Sequence, residues 1–435
     1  MKRILFALLI TTFIAGFAFA TGQGEEAASD EPVELLYYVQ IPADADPAIE
    51  QVIAEYESRN PNVTVSYEHL SDGSADEYLQ RLDLLMLSGE KVDIVTQPGP
   101  TPHFERASQG MLAPLDPYIE AEGIDFDDIY SVRHEIDGQI YGLPAFVATW
   151  YVLINKDHLD AAGLDVPPAD WTWEEYREYA EALTTTVDGQ TRYGSYMVEW
   201  PMLNYAGMWS AKDDNPLFYE DGTPAVDHEA FKGFVRFRRE LEADGYQMPY
   251  DLVQAEGMHY LGGFFNERFS MQPIGSWTVN AVRRLDRFPH DFVVTFAPMP
   301  RWDESITPQT TFSENAYYAI AENSDHKGHA YEFIRLITTY GQPLIAKGFS
   351  SEIGADNAAV LEVMMQGQEQ LYDLDQLKFV INNRVDNPTT YYHEYHAAAE
   401  EGMNTETEKY LFGGYTYEEW LENVTAAVND VIANY

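Results

Sequence analysis

Cysteine is absent from all 435 residues. No disulfide can staple the chain, and no thiol near its start can carry a lipid. Basic residues are scarce: 26 Lys and Arg stand against 72 Asp and Glu, a formal charge of −46. A field of that sign repels nucleic acid and anionic lipid surfaces. The acids are spread along the chain, so they read as a solvated surface, and with lysine rarer than arginine they point to a saline habitat. Long apolar runs are also missing beyond the first twenty residues, and no later stretch reaches the length that spans a bilayer.

Those first residues read as a leader. Lys2 and Arg3 precede an apolar run from Ile4 to Phe19, and Ala18-Phe19-Ala20 supplies a small-x-small cleavage pattern. The run is short for a membrane anchor, so cleavage after Ala20 and export are expected. An exported chain without a lipid-bearing cysteine needs a compartment to hold it, which favours a periplasm over free secretion. Residues 21–32, polar and acidic at first, are expected to be a disordered mature N-terminus.

Periodicity then alternates. "VELLYYVQ" reads as a buried strand, and Asp46-Pro47 as the N-cap and first residue of a helix through "PAIEQVIAEYESRN". "NVTVSYEHL" is a strand, "ADEYLQRLDLLMLSG" a helix closed by Gly89, and "KVDIVTQ" a strand. Strand and helix in alternation predict a parallel sheet wrapped by helices. Further on, Thr172 with Glu175 and Thr416 with Glu419 form capping boxes. Asp227 is expected to cap the helix "DHEAFKGFVRFRRELEADG", and the chain beyond about residue 355 is mostly helical. Two sheets interwoven by crossovers fit this order better than two separate domains in tandem.

Catalytic signatures are weak. Ser276, in "IGSWTVNAVRRL", lacks the second glycine of a nucleophile elbow and has no histidine in a recognisable relation to it. Gly275-Ser276 reads more simply as an ordinary helix N-cap. His393 and His396 stand three apart, not in the four-residue spacing of a zinc peptidase helix, and no calcium loop or cofactor motif is present. Neither metal nor cofactor is expected. The aromatics say more: 30 Tyr, 22 Phe and 8 Trp, with Tyr38, Trp150, Tyr151, Trp200, Trp209 and Trp277 near strand ends or helix starts. A flat ring beside amides suits a sugar, which offers C–H faces for stacking and hydroxyl edges for hydrogen bonds.

The run "DGQIYGLPAFVATWYVLINKDHLDAAGLDVPPADWTWEEYREYAEALT", with Gln109–Asp116, "FSMQPIGSW", "APMP", "AIAENSDHKGHAYEFIRLIT" and the final "LFGGYTYEEWLENVTAAVNDVI", resembles the family 1 extracellular solute-binding proteins that serve ABC importers. The resemblance runs from about residue 33 to the end. It implies an α/β fold of two lobes, each a mostly parallel sheet flanked by helices, with a sugar in the cleft. Lobe one would be 33–146 plus 300–345, and lobe two 147–299 plus 346–435, with hinge crossings near Pro144–Val147 and Pro298–Pro300. It places Tyr38 and Gln40, Thr96 and Gln97, Thr149 and Trp150, Glu199 and Trp200, and Ser276 and Trp277 at the ligand. Ala148 departs from the acid often found there, which leaves the identity of the sugar open. The implied partners are a small sugar and a membrane permease, with the chain acting as a monomer and no catalysis. An exported glycan-active enzyme and a receptor for a different solute are the alternatives.

Dense acids repel one another, and salt screens that repulsion over about 10 Å at 0.1 M. The melting temperature should therefore rise between low and molar sodium chloride. A flat or falling curve in a thermal scan would remove the saline reading.

Overall fold

The computed structural model describes residues 31–435 apart from 41–42, 72–73, 131, 137, 214, 388 and 390. The expected leader (1–20) and the tail through residue 30 lie outside the described residues. Ten strands form one sheet: β1 Val33–Val39, β2 Val63–His69, β3 Ile94–Gln97, β4 Gly142–Asn155, β5 Thr185–Val187, β6 Gln190–Ser195, β7 Phe269–Gly275, β8 Val294–Ala297, β9 Thr310–Ile320 and β10 Val385–Asn387. Their order is β2-β1-β3-β9-β4-β7-β6-β5, with β8 beside β4 and β10 beside β9.

The first half follows the periodicity closely. β1 pairs in parallel with both β2 and β3, joined by helices α1 (Asp46–Arg59) and α2 (Ala75–Ser88). α1 buries Ile49, Val52, Ile53 and Tyr56, the apolar stripe of a surface helix. α2 begins where the Ser74 side chain accepts the Glu77 N–H and ends on Gly89 at φ 78°, a left-handed cap that glycine reaches without strain. Asp46, expected as the N-cap of α1, is instead its first helical residue; the cap is Ala45, and the Asp46 carboxylate is held by His69 Nε2 at 2.7 Å.

β4 changes the plan. It is a fourteen-residue strand, buried over its whole length. Gly142–Thr149 pair antiparallel with β9, and Trp150–Ile154 pair antiparallel with β7. The expected parallel units survive on either side, as β2-β1-β3 and β6-β7, and the antiparallel pairs enter through β4, β9 and the β5–β6 hairpin. Two sheets thus become one, continuous through a shared strand.

The hydrophobic core divides where β4 changes partners. One part gathers Leu35, Ile94, Leu143, Ala316, Phe333 and their neighbours. The larger part begins at Trp150 and takes in Trp171, Phe234, Phe269, Phe296, Phe349 and Trp420. Both capping boxes are present, at Thr172–Glu175 and Thr416–Glu419, starting the helices Trp173–Leu183 and Tyr417–Asn434. The helix Glu229–Ala243 is capped by His228, whose Nδ1 accepts the Ala230 N–H at 3.1 Å, and not by Asp227, which belongs to a 3-10 turn.

Gly194 shows how tightly the second core is closed. A Cβ there would overlap the Ala180 carbonyl of the helix Trp173–Leu183. The close approach lets the Thr184 hydroxyl link both elements, donating to Ala180 O at 2.7 Å and accepting from Gly194 N at 3.0 Å. Gly194→Ala should therefore cost about 2–3 kcal/mol, because backbone rather than a flexible side chain must yield. Denaturant unfolding reads this directly; an unchanged midpoint would contradict the packing.

Candidate functional site

The two largest core clusters meet around the point where β4 passes from β9 to β7. Four indoles gather there. Trp150, 1% exposed, is the hub, its ring 4.8 Å from Trp209, 5.3 Å from Trp277 and 6.3 Å from Trp200. Trp200 and Trp277 are half-buried, with centroids 5.8 Å apart, and Tyr260 edges onto Trp200 at 5.3 Å. The Trp277 Nε1 donates to the Tyr260 hydroxyl at 3.1 Å. Perpendicular and tilted ring pairs of this kind each add about 0.5–1.5 kcal/mol beyond burial. Together these contacts lock the rings into one platform.

Gly275 makes the platform possible. The Trp277 ring folds back over it, and a Cβ at that position would stand inside the ring. Ser276 occupies the N-cap position of the helix Trp277–Val282 but makes no capping bond; its helical backbone turns the side chain away. Its Oγ accepts the Thr149 N–H at 3.2 Å and so ties β4 to the turn. The expectation of an ordinary serine cap is corrected accordingly. Tyr151 is also part of the core, its hydroxyl 2.7 Å from that of Thr278.

The residues expected at the strand ends form a second group. Tyr38 is buried in the core beside α2, and its carbonyl accepts the Tyr78 hydroxyl at 3.1 Å. Thr96 is held from both sides: its N–H donates to Tyr78 at 3.0 Å and its hydroxyl lies 3.3 Å from that of Tyr37. Gln40 accepts the Lys347 ammonium on both its backbone oxygen (2.6 Å) and its side-chain oxygen (2.5 Å). Burial lowers that lysine to about 7. Glu199 accepts the Tyr196 hydroxyl at 3.3 Å. Gln97 and Thr149 differ, because their side-chain polar atoms are buried with no partner among the described residues.

Other side chains at the seam escaped sequence reasoning. Helix α3, Pro100–Ser108, follows β3, and the helix His396–Leu411 crosses to meet it. Glu400 of the latter accepts the Tyr205 hydroxyl at 2.6 Å and that of Thr101 at 3.5 Å. Phe104 of α3 stacks on Tyr392 at 5.4 Å, and Tyr392 edges onto His396 at 4.7 Å. Asn315, inside β9, is buried with both amide atoms unpartnered. In sequence it is one of three consecutive polar residues, Ser313-Glu314-Asn315, at the middle of β9, and nothing there sets it apart from its neighbours.

This arrangement offers flat rings, amides and hydroxyls. Among the described residues there is no group of three or more His, Asp or Glu able to hold a metal, and no helix long and apolar enough to cross a membrane. The sequence profile of the bacterial extracellular solute-binding proteins matches residues 42–342. The chain belongs to that family. A Brucella abortus protein named only as a binding protein is 26% identical over 212 residues, covering 48% of this chain and 49% of that protein, so the match spans about half its length. The multiple sugar-binding protein of Streptococcus mutans is 21% identical over 353 residues, 76% of this chain and 79% of that one. Among solved structures, an ABC substrate-binding protein from Listeria monocytogenes in complex with cycloalternan superimposes with a TM-score of 0.75 at 20% identity, over 93% of this chain and all of that one (100%). Both comparison and geometry give a two-lobed solute-binding protein fold.

Three histidines of this solute-binding protein sit buried at the seam. Burial, with His134 and Arg106 adding to it, lowers His103 to about 3; burial lowers His134 to about 4; burial, with His393, lowers His396 to about 3. An unfolded chain takes up these protons below about pH 6.5, while the folded chain resists until about pH 4. Between those values the unfolded state binds more protons, so stability should fall as pH falls, by roughly 1 kcal/mol per pH unit for each histidine. Glu400, raised by burial, works in the opposite sense. Comparison with His396→Phe isolates the effect: the variant should lose less stability between pH 7 and 5 in denaturant titrations. Parallel curves would show that His396 is not held neutral.

Proposed function

We propose that this chain is an exported receptor that captures a neutral sugar, mono- or oligosaccharide, between its lobes and presents it to an ABC-type permease. The observation that carries the reading is the juxtaposition at one seam of half-buried indoles with buried, unpartnered amide and hydroxyl groups. A sugar satisfies both at once, stacking its C–H face on Trp277 or Trp200 and pairing its hydroxyls with Gln97 and Thr149. Trp150 and Ser276 support this surface from behind, and Tyr38, Gln40, Thr96 and Glu199 frame it. The Streptococcus protein is named as a sugar-binding protein and the Listeria protein was solved with cycloalternan, which supports a carbohydrate over another solute. Export by a cleaved leader at residues 1–20, a periplasmic location without a lipid anchor, a monomeric state and the lack of catalysis belong to the same proposal.

Closure would turn about the strands that both cores share. The change of partners between Thr149 and Trp150 supports a hinge there, with β9 crossing alongside near Phe312–Ser313. A third crossing is supported by the reciprocal bonds between Val147 and Phe349, at 2.7 and 3.1 Å. Pro298–Arg301 lie against Trp171 of the larger core, whose Nε1 donates to Pro298 O at 2.8 Å, which argues for placing the second crossing in β9 instead of at Pro298–Pro300.

A thermal-shift screen over mono- and oligosaccharides tests the reading, because a ligand bound only by the native state raises the melting temperature. The sugar that responds should be recovered unchanged and should contract the protein in small-angle scattering. Trp277→Ala should weaken its binding at least about thirtyfold, or roughly 2 kcal/mol. Turnover of chromogenic glycosides would favour the enzyme, and a response only to phosphodiesters or polyamines would favour another solute.

A further inference from the structure

Asn315 is 1% exposed, and neither its amide oxygen nor its amide nitrogen has a hydrogen-bonding partner among the described residues. Buried amides in native proteins are overwhelmingly paired, so a wholly unpaired one calls for a cause. Gln97 repeats the feature at 0% exposure. The two are not scattered. Gln97 stands opposite Tyr317, two residues from Asn315 on β9, and Thr149 stands opposite Ser313, two residues away on the other side. Directly opposed and alternate residues share a face of a sheet. Gln97, Asn315 and Thr149 therefore line one face in a row, and the Thr149 hydroxyl is unpartnered as well.

The neighbours of Asn315 on that face are occupied. Tyr317 is stacked by His103 of α3 at 4.4 Å, and the Ser313 hydroxyl donates to Asp386 of β10. Asn315 lies between these two covers, one from each side of the seam. An amide carries a donor and an acceptor side by side. Two adjacent hydroxyls on a sugar ring answer both, since each can donate and accept. A carboxylate or phosphate would turn only acceptors toward the row, and a polyammonium only donors.

We propose that Asn315, flanked by Gln97 and Thr149, reads a vicinal diol of a neutral sugar from the crossing strand and is a ligand-selecting residue of this protein. The inference rests on the sugar-receptor reading above and adds to it the residue and the hydroxyl pattern. It also predicts an unusual separation of stability from binding. Replacing the unpaired amide by an apolar group of similar size removes a desolvation cost from the unliganded protein while it removes the contact to the ligand. Gln272 is the internal control. It is buried and unpartnered in the same way, but it lies within β7 opposite Leu153, three residues along β4 from Trp150.

The experiment compares wild type, Asn315→Leu, Asn315→Ser and Gln272→Leu by thermal unfolding and by calorimetric titration with maltotriose, mannobiose and arabinotriose. For whichever sugar the wild type binds, Asn315→Leu should lose roughly 10- to 100-fold in affinity with the unliganded melting temperature unchanged or higher. Gln272→Leu should keep its affinity. A deoxy analogue lacking one hydroxyl of the pair should bind worse than its parent to wild type but equally to the variant, which a merely structural role would not produce. Asn315→Ser covers the case in which leucine is too bulky, with the same loss expected. Full affinity in either folded Asn315 variant would overturn the inference and leave the receptor reading intact. A wild type that binds none of the three sugars but binds a glycerophosphodiester or a polyamine would overturn both.

Discussion

β4 must satisfy two hydrophobic cores with one continuous backbone. Its first eight residues complete the sheet that holds β1, β2 and β3, and the rest hold β7 and β8. Every residue of it is buried, so neither core can shift far along the strand without exposing apolar surface. Relative movement of the cores is then confined to rotation about the strands they share. The neighbouring β9 obeys the same constraint, pairing with β3 and β4 at one end and β10 at the other. The two cores are therefore joined through strands that both of them share.

The chemistry at that place differs from the rest of the protein. The chain as a whole is strongly acidic, while the seam is built from indoles, amides, hydroxyls and histidines held neutral by burial. A charged group would be costly there, and Glu400 is tied down by the Tyr205 hydroxyl, while Asp386 is exposed and pairs with Arg384 as well as with Ser313. Neutral polar groups left unpaired in a buried seam weaken the fold that contains them. Local inconsistency of this kind, amid capping boxes, glycine caps and interlocked aromatics that all agree, marks a site more clearly than any motif does.

Much of the fold was legible residue by residue. Period-two and helical spacing located β1, β2, β3, α1 and α2, and the two Thr–Glu boxes fixed the starts of long helices, because these signals depend on neighbours within a turn or two. Helix starts chosen by residue type alone were less secure. Asp46 and Asp227 are good caps in isolation, yet Ala45 and His228 occupy the cap positions, and Asp46 pairs instead with His69 at the end of β2. Ser276 was legible as a residue at a helix start but not as an acceptor for the Thr149 N–H, 127 positions away in sequence.

Composition and local pattern therefore determined the class of the molecule: an acidic, cysteine-free α/β chain with aromatics at strand ends. They could do so because charge, capping and amphipathic spacing are properties of short windows. Only the tertiary structure decided that two sheets are one, that Trp150 is a buried hub while Trp277 and Trp200 reach the seam, and that Asn315 stands between Gln97 and Thr149. Those facts depend on strand register across more than a hundred residues of intervening chain. A polar side chain inside a strand looks the same in sequence whether a neighbour satisfies it or not, and only the fold supplies the neighbour.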